Sequence, residues 1–212
     1  MAFGPGGGAF CDAELGLLQT FAAQAAMATH NARLFNETQE ALQQQTASAD
    51  ILRVISASPT DVQPVFEAIA QTAVRLLALD RAAFIEVEGT RYWAKAVATP
   101  AGLEPDRWRD PQPIDPEANF PSQAIVRRAT VHIPDWNAVE LTPRQKRVQE
   151  ATGARASLNV PLLREGQAIG ALMLVRNRPG GFTAKEIALA ESFRDQAVIA
   201  IENVRLFRET QE

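Results

Sequence analysis

Apolar residues recur at steps of three and four through Ile187, Ala190, Phe193, Ala197, Ile201 and Val204, the period of a helix with one buried stripe. Ile199, Leu206 and Phe207 fall off that stripe, so this helix carries a second apolar side that its own domain does not use. Thr183 with Glu186 forms a capping box directly after Gly180-Gly181 and sets the helix start. A helical pattern also runs from Asp12 through Leu34, Leu42, Ala49, Leu52 and Ile55 until Pro59 ends it, with Gln43-Gln44-Gln45 in its middle. Its steps of about seven predict a short parallel coiled coil, the other reading being a solitary solvated helix. A further helix is predicted from Thr60, capped with Gln63, to about Ala78, with Val65, Phe66, Ile69, Ala73, Leu76 and Leu77 apolar.

The middle of the chain changes period. Arg81 to Glu88 and Arg91 to Thr99 are β-branched or aromatic runs separated by Gly89-Thr90, a hairpin signal. From Arg155 to Leu162 the chain alternates, with Arg155, Ser157 and Asn159 on one face and Ala156, Leu158, Val160 and Leu162 on the other. That pattern predicts a strand between a core and a polar space. Gln167 to Val175 is apolar on both faces and reads as a central strand, joined to its predecessor by Glu165-Gly166. Between the hairpins lie a short helix from about Ser122 to Ala129, a strand around Val131 to Pro134, and a helix started by Thr142-Pro143 with Gln145. Six of the thirteen prolines fall between Pro100 and Pro121, which predicts a stiff, irregular loop over one edge of the sheet.

Phe10 to Glu40 aligned on Phe182 to Glu212, an offset of 172, is identical at about half of its positions without a gap. Phe21 matches Phe193, Gln24 matches Gln196, Asn31 matches Asn203, and Arg33-Leu34-Phe35 matches Arg205-Leu206-Phe207. An offset this long exceeds any solenoid period, so the two copies read as the closing helices of two consecutive domains. The expected organisation is a tail and closing helix of a preceding module at 1–40, a coiled-coil linker at 41–58 and a complete domain at 59–212, cut from a longer chain.

Composition removes several function classes. A net charge of −4 and an isoelectric point near 5.4, without any Lys/Arg run, disfavour nucleic acid as a partner. One cysteine, Cys11, leaves no internal disulfide and no four-cysteine zinc site. No stretch reaches the 18 or so apolar residues that span a bilayer, so a cytoplasmic chain without membrane contact is expected. Gly4-Pro5-Gly6-Gly7-Gly8 lacks the ending of a phosphate loop, and no nucleophile elbow, zinc-protease motif or carboxylate pair is present. His30 stands where the second copy has Glu202, a solvated position.

These elements describe an α+β fold with a central antiparallel sheet, helices packed on one face, and a long N-terminal linker helix. The run Ser157-Leu158-Asn159-Val160-Pro161-Leu162, then Ile169-Gly170-Ala171-Leu172, Phe182, and Gln196-Ala197-Val198-Ile199-Ala200-Ile201-Glu202-Asn203, resembles a GAF domain. The similarity is greatest to those strung in tandem in bacterial sensor histidine kinases and cyclases. The resemblance implies a PAS-like fold that binds a small molecule, or none, and passes conformational change along its flanking helices to an output domain of the parent chain, as in two-component systems. Bilin carriers and methionine sulfoxide reductases of the family need cysteines within the domain, and here there are none. Neither a cofactor nor a metal is therefore expected, and the domain is expected to be non-enzymatic. Asn177-Arg178, Phe182 and Glu186 resemble part of the family's cyclic-nucleotide motif, with Arg178 in place of Lys and Ile187 in place of the second acid. An ion pair between Arg178 and Glu186 would equally pin the last strand to the closing helix.

The expected ligand site is the polar face of Arg155, Ser157 and Asn159, with Trp108, Phe120, Ser122, His132 and Trp136 from the insert and Trp93 from the first hairpin. The same aromatics could instead fill the gap between sheet and loop. His132 has no second ligand in its segment, so it reads as a strand histidine with a local partner. A homodimer is expected through the N- and C-terminal helices, at Leu34, Leu42, Leu52, Ile199, Leu206 and Phe207. The alternative function is a structural dimerisation spacer with no ligand.

Overall fold

Periodicity becomes structure with few shifts: α1 (Asp12–Ala57), α2 (Gln63–Leu76), β1 (Arg81–Glu88), β2 (Arg91–Thr99), β3 (Gly102–Leu103), β4 (Gln112–Pro113), α3 (Phe120–Arg127), β5 (Val131–Ile133), a 3-10 turn (Trp136–Ala138), α4 (Pro143–Thr152), β6 (Ala156–Arg164), β7 (Gln167–Arg176) and α5 (Ala184–Glu209). The structure is a computed structural model that describes residues 12–104 and 110–210. Cys11 and Trp108 lie outside the described residues.

The chain divides into two units, Met1–Thr46 and Ala47–Glu212. The first is helical from Asp12, and Thr20, Thr29, Thr38 and Thr46 return their hydroxyls to carbonyls one turn back, which satisfies them within the helix. Leu17, Leu18, Phe21, Met27, Leu34, Phe35 and Leu42 are exposed along it.

In the second unit the sheet runs β3-β2-β1-β7-β6-β5, with β4 paired to the outer end of β2, and every pairing is antiparallel. α2 and α5 cover one face. Their stripes, Val65, Phe66, Ile69 and Ala73 from α2 and Ala190, Phe193 and Ala197 from α5, close on Ala82, Phe84, Leu158, Val160, Leu162, Leu172 and Leu174 from the strands. Each such leucine contributes roughly 1.5–3 kcal/mol by leaving water. Residues 47–57, read above as linker, give Ala47, Ile51 and Ile55 to the buried interior of this unit, at the four-residue spacing of one helix face.

Local chemistry fixes the ends. Thr183 with Glu186 and Thr142 with Gln145 both form the expected capping boxes. At α2 the cap differs from expectation. The helix starts at Gln63 behind Val62, and the Asp61 carboxylate, not Thr60, accepts from the Gln63 backbone N–H at 2.9 Å. Glu165 and Gly166 take positive φ of 50° and 75°, the geometry of a two-residue hairpin turn.

Arg178 does not reach Glu186, contrary to the expected ion pair; Arg176 does. The cause is strand parity, because Arg176 follows Leu172 and Leu174 on the helix-facing side whereas Arg178 stands beyond the strand end. The buried Arg176 guanidinium also donates to the carbonyls of Leu77 (2.8 Å) and Gly181 (2.6 Å) and lies 4.2 Å from the centre of the Phe182 ring. It thereby ties the end of α2, the last strand and the start of α5 together.

Candidate functional site

The other face of the sheet carries Ala83 and Ile85 of β1, Ala94 and Val97 of β2, and Met173 and Val175 of β7 along the floor of a cavity of about 360 Å³. Ala94 and Val97 are three residues apart, which strict alternation would put on opposite faces. The register shift opposite Phe84 and Ile85 inserts one extra residue in β2 and brings both to the same side. Tyr92 and Trp136 supply aromatic walls. The roof comes from the Pro-rich segment and the insert: Asp110 and Gln112, Asn119 and Pro121 at the start of α3, and Arg144, Val148 and Thr152 on α4.

Two polar groups in this roof stand out. Asn119 caps α3, its Oδ1 accepting from the Ser122 backbone N–H at 2.8 Å, and this bond fixes which end of the amide is nitrogen. Its Nδ2 is buried and has no partner among the described residues, an omission that ordinarily costs about 1–3 kcal/mol. Arg144, in the first turn of α4, donates to Gln112 Oε1 and has no carboxylate within ion-pair distance among the described residues. Gln112 is held in turn by donating to the Asp110 carbonyl at 3.0 Å. Burial raises the pKa of the Tyr92 hydroxyl above its ordinary 10, against the opposing effects of Arg144 and Ser122, so at neutral pH it is a neutral donor.

Of the residues expected at a ligand site, Trp93 and Trp136 border this cavity, but strand parity turns the Trp93 ring to the opposite face of β2, where Lys95 Nζ lies 4.9 Å from its centre. The polar face of β6 does not open onto the cavity. Ser157 and Asn159 are buried, with Trp136 Nε1 donating to Ser157 Oγ at 2.9 Å and Asn159 Nδ2 reaching the same oxygen at 3.5 Å. Arg155 lies just outside the strand and pairs with Asp135 at 3.4 Å. Phe120 packs edge-on against Trp136, and Ser122 is buried in the first turn of α3, its Oγ accepting from the Asp115 N–H at 3.1 Å. The insert folds down onto β6 and fills the space that alternation left polar.

His132 sits at the far edge of the sheet, where Nε2 accepts from the Phe182 backbone N–H at 2.9 Å. Burial, then the nearby Arg176 charge, lowers its pKa despite the opposing pull of Glu186, so the ring is a neutral acceptor. Sequence periodicity missed Arg144, Asn119, Gln112 and Met173. Arg144 directly follows the Thr142-Pro143 helix start, the one signal that could have singled it out. Among the described residues no group of three or more His, Cys, Asp or Glu side chains could hold a metal, and no helix is long and apolar enough to cross a membrane.

A family model described as GAF domain matches residues 61–201. The chain is also similar to solved structures. The phycocyanobilin-bound GAF domain of a cyanobacterial phytochrome aligns with a TM-score of 0.64 at 16% identity, over 77% of this chain and 96% of that one. The GAF domain of an Acinetobacter phosphoenolpyruvate-protein phosphotransferase gives 0.62 at 14%, over 78% and 97%. The blue-light absorbing form of the Thermosynechococcus elongatus PixJ GAF domain gives 0.57 at 22%, over 71% and 89%. No curated protein sequence matches the chain.

Proposed function

This chain belongs to the GAF domain family, and on that premise we propose that its second unit is a sensory module that binds a small molecule and relays the binding through its flanking helices to an output domain. One observation carries the reading: the 360 Å³ cavity has aromatic and aliphatic walls and, in its roof, the Arg144 guanidinium with no carboxylate paired to it among the described residues. That volume lies at the lower end of the range for small-molecule sites, about 300–1,000 Å³, and a few polar groups among apolar ones are their usual lining. A domain that only spaced its neighbours would gain stability by filling such a space with side chains.

The solved relatives include bilin-bound domains, but this chain has one cysteine, Cys11, well before the matched residues, so a covalent bilin in this cavity is not part of the proposal. The ligand is held non-covalently and no reaction is assigned to the site. Native mass spectrometry of the purified protein tests this reading, with a library of small metabolites where no ligand co-purifies. A stoichiometric adduct that disappears when Ala94→Trp fills the cavity is expected. A folded wild type that takes up no compound would return the domain to the spacer reading.

The repeat supports a dimer. Phe21 is 59% exposed whereas its equivalent Phe193 is fully buried, so the first copy presents the stripe that in α5 meets its own domain. We assign that stripe to a preceding GAF-like domain. Met27 and Ile199, Leu34 and Leu206, and Phe35 and Phe207 are exposed in both copies, which leaves this second stripe for another copy of the chain.

A further inference from the structure

We propose that the cavity takes a small monocarboxylate with a flat apolar body, its acid group meeting Arg144 and its body lying against Tyr92 and Trp136. This rests on the ligand-binding reading above and adds charge and shape to it.

The charge follows from the roof. Arg144 donates to Gln112 Oε1, which orients the guanidinium and leaves most of its five donors without a partner among the described residues. Asp110 and Arg81 also reach the cavity, and Arg81 is paired with Glu104 at 3.1 Å; among the described residues no carboxylate is within ion-pair distance of Arg144. Arg144 stands in the first turn of α4, where the aligned peptide dipoles add partial positive charge. A guanidinium fork matches the two oxygens of a carboxylate, and with Arg81 already paired to Glu104 the Arg144 fork neutralises a single negative charge, which favours a carboxylate over a phosphate dianion.

The shape follows from the walls. Tyr92 and Trp136 present ring surfaces, and Ile85, Met173 and Val175 complete an apolar bed with no carboxylate in it. An aromatic or compact branched body would bury its surface there.

The test sets phenylacetate and indole-3-acetate against their primary amides, by calorimetry and thermal melting of the whole chain. Binding of the acids with at least tenfold weaker binding of the amides is expected. Arg144→Gln should remove the preference and Arg144→Lys should retain part of it. Amides that bind as tightly as acids, or acid binding unchanged in Arg144→Gln, would overturn the carboxylate assignment and leave the ligand-binding reading in place. A wild type that binds neither acid nor amide also overturns it, and the native-mass adduct search then decides separately whether the cavity has any ligand.

Discussion

Trp136 Nε1 donates a 2.9 Å hydrogen bond to Ser157 Oγ in a setting where both residues are buried. That bond joins the insert to the polar side of β6 and turns an expected open face into a second packed layer, with Phe120, Ala154 and Val175 around it. Ser157→Ala should cost about 1–3 kcal/mol in urea unfolding, because the indole N–H then stays buried without a partner. A cycle with Trp136→Phe separates the bond from the packing, and full additivity of the two single changes would show that the bond contributes nothing.

Gly170 lies where β7 crosses β1, and a Cβ there would stand 2.3 Å from the Ile85 carbonyl oxygen. Backbone cannot yield as a side-chain tip can. Gly170→Ala should therefore destabilise the domain by about 1–3 kcal/mol or more and disturb the floor of the cavity, since Ile85 lines it. Unchanged thermal stability would contradict the close approach of the two strands.

His132 makes stability depend on pH. Its folded pKa lies below the ordinary 6.5, so on acidification the unfolded chain takes up a proton that the folded chain resists. The stability from neutral His132 is present above about pH 6.5 and falls as pH drops below it. Glu186 adds a second loss at lower pH. Burial alone would raise its pKa, but the hydrogen bonds from Arg176 and Thr183 outweigh burial and hold it below 4.5, so its contribution is present above that value and lost as pH falls through it. In unfolding titrations from pH 7.5 to 5.5, His132→Gln should flatten the pH dependence. A slope equal to the wild type's would mean that the ring's bond to the Phe182 N–H does not carry it.

Leu206 and Phe207 are both exposed at the end of α5, and the proposed dimer buries them against a second copy. Replacing both by Glu should yield monomers with a folded domain, because like charges would meet at the seam. Light scattering at high micromolar concentration reads the outcome, and a monomeric wild type would exclude the dimer.

Leu158→Ala separates core from cavity. Leu158 is fully buried on the helix-facing side of β6, so truncation should cost about 2–5 kcal/mol. Arg155→Ala, by contrast, breaks only a partly exposed pair with Asp135 and should cost about 1 kcal/mol or less, with little effect on ligand binding. Equal losses from the two, measured by urea unfolding, would contradict this division of the strand.

Helix and strand identity, the hairpin turns and two capping boxes were legible in the sequence because each depends on residues within a few positions of one another. Thr183 and Glu186 are three apart, Glu165 and Gly166 adjacent, and the stripe from Ala190 to Val204 repeats each turn. The repeat of α5 in residues 10–40 was legible for the same reason, since it needs only comparison of the chain with itself. The site was legible only in Trp136 and, at the border of the cavity, Trp93. One extra residue in β2 breaks the alternation that assigns faces and puts Ala94 and Val97 on one side. Arg176 rather than Arg178 meets Glu186 because the strand ends between them. The polar face of β6 is closed by Trp136, distant in sequence, while Arg144 and Asn119 come over the sheet on two separate helices. The sequence by itself determined the elements, since local periodicity and capping act at short range; only the tertiary structure decided what encloses the cavity, because that depends on which side chains from separate elements arrive at the same place.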